Sequence, residues 1–271
     1  MHRRLNILKY WFTGNKHNTN FFRLMREIGT SSIGKRAKLY IEKIESEETF
    51  RKVYFKNIFH PLYFPLEIPL NFLYQIVPEQ FQSIEWHYYQ IPETAVTSSD
   101  IVVDCGAAEG LFSLLVAQKC KKIYSIEPLP RFIEGLHRTF SKHNNIEIID
   151  VALSNRIGTG KLSQSNLSSS LVENDDTAIM VKTETIDNLF FFKNIPITYI
   201  KADLEGNEMK MLEGAIHTIQ HYKPKIAITT YHNKDDADNI SSFLRKNNPE
   251  YKIITKGIDG IHGGPVMLHA Y

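Results

Sequence analysis

Three carboxylates fall close together in Lys201-Ala202-Asp203-Leu204-Glu205-Gly206-Asn207-Glu208, and an imidazole follows in Thr230-Tyr231-His232-Asn233. Acids beside a histidine can take the proton from a substrate hydroxyl, or hold a divalent cation that acidifies it. Asp203, Glu205 and His232 are therefore the catalytic candidates, and Asp203 is also a candidate contact for a bound cofactor. Asp203 and His232 read either as an orienting acid with its base or as two ligands of one metal, and the spacing leaves both open. Glu208 is accounted for by the positive end of the helix it opens.

A second constellation suits a bound cofactor. Val102-Val103-Asp104-Cys105-Gly106-Ala107-Ala108-Glu109-Gly110 reads as a strand end, a sharp turn and a helix start. Gly106 and Gly110 lack the Cβ atoms that would block a ligand approaching the backbone, and the small Ala107 and Ala108 keep that approach open. Asp104 stands two positions ahead. The spacing is not the G-x-G-x-x-G that seats a pyrophosphate, which suits a methionine-derived cofactor with no phosphates to seat. Glu127, in Ile126-Glu127-Pro128, lies roughly 20 residues further on, where an acid can accept from both ribose hydroxyls. Pro128 then opens a helix. Asp150 is a candidate for an adenine amino group, with the backbone of Val151 and Ala152 beside it.

These residues need a common rim, and the hydrophobic pattern supplies one. Ile101–Asp104, Lys122–Ile126, Ile146–Asp150, Ile197–Asp203 and Ile226–Tyr231 read as five buried strands. Helical stripes run through Ile133, Leu136 and Phe140, through Met209, Leu212, Ile216 and Ile219, and through Ile240, Phe243 and Leu244. In an open α/β sheet ligands bind beyond the carboxyl ends of the strands, where Asp203 and His232 are expected. Tyr251–Thr255 and Pro265–Tyr271 read as two more strands, joined chiefly by the eight residues Gly257–Gly264, four of them glycine. A parallel crossover needs about a dozen residues, so this pair should be an antiparallel hairpin. The expected fold is α/β: a doubly wound, mixed seven-stranded sheet with an antiparallel last strand over residues 96–271. Residues 1–95, Pro-punctuated and aromatic, read as a partly helical cap or extension with helices near 20–28 and 35–50. Its aromatics, among them Tyr54, Phe55, Phe59, Tyr63, Phe64, Phe72 and Tyr74, read first as core and second as pocket lining. The polar segment Ser163–Asp176 is expected at the rim of an acceptor site.

The composition sets outer bounds. The chain has 271 residues and a net charge of +2, too little charge to indicate nucleic acid. Cys105 and Cys120 are the only cysteines, which fits a reducing, cytoplasmic setting and excludes a Cys-rich metal site. The apolar stretch after Arg3 and Arg4 is interrupted by Lys9, so no export signal is expected. No run of about 18 apolar residues would span a membrane. The first 40 residues carry Arg3, Arg4, Lys9, Lys16, Arg23, Arg26, Lys35, Arg36 and Lys38 against Glu27 alone. That asymmetry reads as a solvated helical face, or as a surface for anionic lipid or an acidic glycan.

In this order, the motifs resemble the FkbM family of methyltransferases over about residues 85–271. The resemblance rests on Val102-Val103-Asp104-Cys105-Gly106-Ala107, Ile126-Glu127-Pro128, Val151-Ala152-Leu153-Ser154, Thr185-Ile186-Asp187-Asn188-Leu189, Ile200-Lys201-Ala202-Asp203-Leu204-Glu205-Gly206 and Leu212-Glu213-Gly214-Ala215. Lys223-Pro224-Lys225-Ile226-Ala227-Ile228 and Tyr231-His232 look like one of its bacterial branches. The resemblance implies methyl transfer from S-adenosylmethionine to a hydroxyl of a sugar, glycan, glycolipid or related natural product. Cys105 and Ala108-Glu109 depart from the residues commoner in that turn. A nicotinamide-dependent oxidoreductase and a non-catalytic cofactor-binding module are the competing readings; the first lacks its glycine fingerprint.

Overall fold

The computed structural model describes residues 2–30, 33–163, 171–172 and 178–271. The chain begins with helices α1 (His2–Phe12), α2 (Phe21–Gly29) and α3 (Ile33–Ala37), then an antiparallel sheet of β1 (Ile41–Glu47), β2 (Phe50–Phe55) and β3 (Leu62–Pro65), then α4 (Leu70–Phe81). An alternating region follows: β4 (Ile101–Cys105), α5 (Leu111–Val116), β5 (Lys122–Ile126), α6 (Pro130–Phe140) and β6 (Ile146–Ile149). Four strands come next, β7 (Ala152–Leu153), β8 (Gly158–Leu162), β9 (Leu171–Val172) and β10 (Ile179–Glu184), then α7 (Ile186–Leu189). The chain closes with β11 (Tyr199–Ala202), α8 (Glu208–Glu213), α9 (Ile216–Tyr222), β12 (Lys225–Thr229), α10 (Asp236–Asn247), β13 (Ile253–Lys256) and β14 (Met267–Ala270).

The main sheet has seven strands in the order β13-β14-β12-β11-β4-β5-β6. Pairings among β12, β11, β4, β5 and β6 are parallel, whereas β14 runs antiparallel to both β12 and β13. The expected doubly wound mixed sheet with a reversed last strand is thus present. Strand order reverses between β4 and β11, which opens a crevice beyond their carboxyl ends. Both strands are buried on both faces, so apolar residues run almost unbroken through Val102, Val103, Tyr199 and Ile200.

The N-terminal region differs from its sequence reading. A helix is expected near 35–50, a stretch in which Ile41 and Ile44 stand three residues apart. The structure has only the short α3, followed by strand β1. Its register shifts between Ile41 and Lys43, and the extra residue at this bulge lets Ile41 and Ile44 share one face of a strand. The stripe expected through Met209 to Ile219 is divided between α8 and α9. A second small sheet, in the order β7-β10-β8-β9, has no counterpart in the sequence reading. Of the expected rim segment Ser163–Asp176, residues 164–170 and 173–176 lie outside the described residues.

The packing crosses residue 95 without a seam. Val53, Phe55, Leu62, Phe64, Leu73 and Val77 share one buried cluster with Leu111, Phe132 and Leu136. Leu24 and Trp86 share another with Val102, Tyr199 and Met267. Phe55 and Phe64 are therefore core, while Phe59 is exposed. Among the described residues no helix is long and apolar enough to cross a membrane.

Candidate active site

The turn after β4 is built by close approach. Gly106 has φ +73°, and a Cβ there would lie 2.1 Å from the Asp203 carbonyl oxygen, so only glycine lets the ends of β4 and β11 meet. The Gly106 and Ala107 N–H groups both donate to the Ile126 carbonyl, at 3.1 and 3.0 Å. Glu127 then fixes the rest of the turn: Oε2 accepts from Ala108 N at 2.9 Å and Oε1 from Leu129 N at 3.0 Å. Ala108 adopts φ +46°, a left-handed conformation that this hydrogen bond helps hold. Glu127 is 4% exposed, and burial, which outweighs its two backbone donors, pushes its carboxyl up to about 7.

Asp104 and Gly110 support this turn from outside the cleft. Asp104 is fully buried, 3.0 Å from Lys201 Nζ, and accepts from Ser113 Oγ at 2.8 Å. Lys201 in turn donates to the Gly106 carbonyl at 2.7 Å. Gly110 has φ +88°, and a Cβ there would meet Leu136 Cδ2 at 2.5 Å; its absence lets α5 pack on α6. Asp150 is exposed at the end of β6.

A cleft of about 340 Å³ lies over the crevice. One wall is Gly106, Ala107, Ala108, Glu127, Pro128, Val151 and Ala152, all of them residues that the sequence singles out. Further lining comes from α4, through Phe72, Gln75, Ile76 and Glu79, and from His87, Tyr89 and Tyr231. Lys201, Asp203 and Glu205 lie at the strand-end floor. Asp203 is the best-connected of them. Tyr89 Oη donates to its Oδ2 at 2.8 Å, His87 Nε2 lies 3.5 Å from the same oxygen, and the Thr229 hydroxyl donates to Oδ1 at 3.3 Å. Burial would raise the Asp203 pKa, but His87, Lys201 and His232 with the Tyr89 hydroxyl outweigh it and hold the group below its usual range.

His232 stands behind Asp203 and does not line the cleft. Its Nδ1 is 3.0 Å from Glu208 Oε1, and its Nε2 is 3.3 Å from Glu205 Oε2 and 3.7 Å from Asp203 Oδ1. Burial would lower its pKa; the surrounding carboxylates of Glu205, Glu208 and Asp203 instead drive it up to about 10. Glu208, 1% exposed, accepts from Leu204 N and from the Thr229 hydroxyl through Oε1, while its Oε2 has no hydrogen-bond partner among the described residues. Asp203, Glu208 and His232 each offer a ligand atom within 4.8 Å of the others. Glu208 thereby joins the two metal candidates seen in the sequence.

Sequence reasoning missed His87, Tyr89 and Lys201. His87 is held on its other side by Glu79 Oε2 at 3.3 Å; burial lowers its pKa, and Glu79 with Asp203 more than reverses this. A usable signal existed for Lys201, a lone cation inside a strand otherwise read as buried. Trp86-His87-Tyr88-Tyr89 precedes the alternating region and carries no periodicity to place it.

Comparison with known proteins adds a family to this geometry. The family model described as the methyltransferase FkbM domain matches residues 104–251. The crystal structure of methyltransferase FkbM from Methylobacillus flagellatus KT aligns with TM-score 0.52 at 22% identity, over 74% of this chain and 52% of that one. The chain thus spans about half the length of that protein, and the likeness is one of fold. An rRNA methylase from Streptococcus thermophilus aligns with TM-score 0.43 at 15% identity, over 66% of this chain and 89% of that one. A methyltransferase from Streptococcus mutans in complex with SAH aligns with TM-score 0.40 at 10% identity, over 65% and 89%. No curated protein matches the chain.

Proposed function

Because this chain belongs to the FkbM family of methyltransferases, we propose that it transfers a methyl group from S-adenosylmethionine to a hydroxyl of a sugar, glycan or related natural product. The observation that carries the reading is the Asp203 carboxylate, held anionic by Tyr89 and His87 in the cleft that Gly106 and Glu127 also line. The nicotinamide alternative lacks its glycine fingerprint and meets a reversed β14.

The donor set fits the cofactor. Glu127 uses two of about four acceptor positions on its own turn, which leaves lone pairs for ribose hydroxyls. Pro128, Ile126, Phe132 and Leu153 give the same wall an apolar surface for a purine ring. When bound, S-adenosylmethionine supplies an electrophilic methyl group whose transfer to oxygen leaves a neutral thioether. Asp203 accepts the hydrogen bond of the incoming hydroxyl and takes its proton as the carbon–oxygen bond forms. Glu79 orients His87, and Tyr89, whose pKa is raised well above its ordinary value chiefly by burial and the Asp203 charge, remains a donor that fixes the carboxylate. Phe72 and Ile76 limit water where α4 lines the cleft. His232, protonated among its carboxylates, orients Asp203 from behind.

A second reading is favoured by the Asp203–Glu208–His232 convergence. A divalent cation there would replace the proton on His232 and acidify the acceptor hydroxyl. Turnover abolished by a chelator and restored by Mn²⁺ or Mg²⁺ supports this; turnover indifferent to chelation leaves Asp203 as the base.

Isothermal titration with S-adenosylhomocysteine tests the cofactor half, and no heat at high protein concentration would remove it. Glu127→Ala should weaken that binding about 100-fold, since two hydrogen bonds to a charged acceptor are lost. Asp203→Asn should keep the binding and lose about 10²- to 10⁴-fold in turnover. The acceptor is sought by mass spectrometry over a glycan panel, as the gain of one methyl group.

A further inference from the structure

The helices α1 and α2 form a hairpin whose outward face is unusual for a surface exposed only to water. On α1, Leu5, Lys9 and Phe12 recur at i, i+4 and i+7 and so share one face. Ile7, on the other side, is buried in the cluster around Trp86. On α2, Phe22 and Arg26 share the face opposite the fully buried Leu24, with Met25 beside them. Phe12 is 70% and Phe22 82% exposed. Their rings join through Trp11 and Phe21 in a continuous series of aromatic contacts, at centroid separations of 5.1, 6.0 and 6.3 Å. Lys16 sits over the Trp11 ring at 4.9 Å, so cation and aromatic are interleaved.

The hairpin is firmly seated. Arg4 donates to the Thr30 carbonyl, which links the open ends of the two helices. Asn6 and Tyr10 donate to the Gly260 and Ile261 carbonyls at 3.1 and 2.8 Å, and Asn18 to that of Thr255 at 2.8 Å. The exposed apolar groups are thus the outer side of an anchored element whose inner side already packs against the main sheet.

We propose that the outward face of α1 and α2 docks on an anionic lipid bilayer. Large apolar rings alternating with Lys and Arg across adjacent helices suit the boundary between headgroups and acyl chains. Glu27 is the only acid among the first 40 residues, so the hairpin's charge complements an anionic leaflet. The rings enter the apolar layer, and Lys9, Lys16, Arg23 and Arg26 meet the phosphates. This surface is independent of the methyl-transfer reading, and its test needs no turnover.

The experiment is co-sedimentation of the full chain with vesicles of phosphatidylcholine alone and of phosphatidylcholine mixed with phosphatidylglycerol. Binding to the mixed vesicles at low salt is expected. It should fall sharply in about 1 M salt, where the Debye length is about 3 Å. Each of Lys9→Gln and Arg26→Gln should weaken it about fivefold, and Phe12→Ser with Phe22→Ser about tenfold or more. Because these side chains are exposed, the variants should keep the wild-type thermal midpoint, which separates lost docking from lost folding. No binding at low salt, or equal binding to neutral vesicles, overturns the proposal. So does a dimer in light scattering that Phe22→Ser dissociates, since the face would then belong to a second copy.

Discussion

At the scale of single residues, the cleft's acids are distinguished by what surrounds them. Asp203 is only partly buried and stays charged, because cations and a hydroxyl converge on it; Glu109 is buried with little to offset the loss of water. Glu109 is 6% exposed, and burial pushes its carboxyl up to about 7 against backbone N–H groups and Lys201 that lower it less. The folded chain therefore holds a proton that the unfolded chain releases near pH 4.5. The stability this contributes is complete below that pH and is lost as pH rises through 7. Glu109→Gln keeps the shape and removes the ionisation. In urea melts the variant should match the wild type at pH 4 and gain on it by about 2 to 3 kcal/mol between pH 5 and pH 8. A gap that stays constant with pH would mean that Glu109 does not titrate in this range. Much of this chemistry was legible in the sequence, since Gly106, Glu127, Val151, Ala152 and Asp203 are fixed by strand-end positions. Asp104 departs from that pattern: a side chain inside a strand points to one face or the other, and its fully buried carboxylate lies against Lys201 and Ser113.

Among the elements, the main sheet was readable because its strands are short, apolar and separated by amphipathic helices. Lys122–Ile126 has the same bounds in sequence and structure, and the Gly-rich connection gave the reversed strand. The small sheet was not readable, since β8 buries only Leu162 and β10 alternates buried Val181 and Thr183 with exposed Met180 and Lys182, a burial that the apolar and polar residue types do not follow. Nor could β1 be read, because its bulge copies a helical spacing. The contact between α6 and the N-terminal sheet is likewise invisible in the chain and severe in the structure. Gly135 lies in α6, and a Cβ there would meet the Tyr63 carbonyl oxygen at 2.8 Å and Phe50 Cε1 at 3.1 Å. Nearby, Tyr63 N donates to Thr139 Oγ1 at 3.0 Å, which fixes that backbone in place. Gly135→Ala gains about 1 kcal/mol of helix propensity but forces apart a helix and a strand, at a cost of about 1–3 kcal/mol. We expect a net loss of about 1 kcal/mol or more in chemical denaturation; a more stable variant would show that β3 yields easily.

Over the whole molecule, the N-terminal residues and the α/β sheet share their buried clusters, so neither can lose its packing alone. Val53 in β2 is fully buried and belongs to the cluster that contains Leu111, Phe132 and Leu136. Trp11 and Trp86, the only two tryptophans, pack on the other shared cluster with Val102 and Met267. Their fluorescence therefore reports on the junction, while far-UV circular dichroism reports on the helices and sheets of the entire chain. Val53→Ala removes two buried methyl groups and should cost about 1–3 kcal/mol. If the clusters tie the chain into one cooperative unit, both signals should unfold in a single coincident transition, and the substitution should move both midpoints together. The alternative has a different signature: an N-terminal region that folds separately would give two transitions, of which Val53→Ala would shift only the one that contains β2. Such a split would make residues 1–95 an appendage, whereas coincidence would make them part of the scaffold that holds His87 and Tyr89 against Asp203 and closes one wall of the cleft.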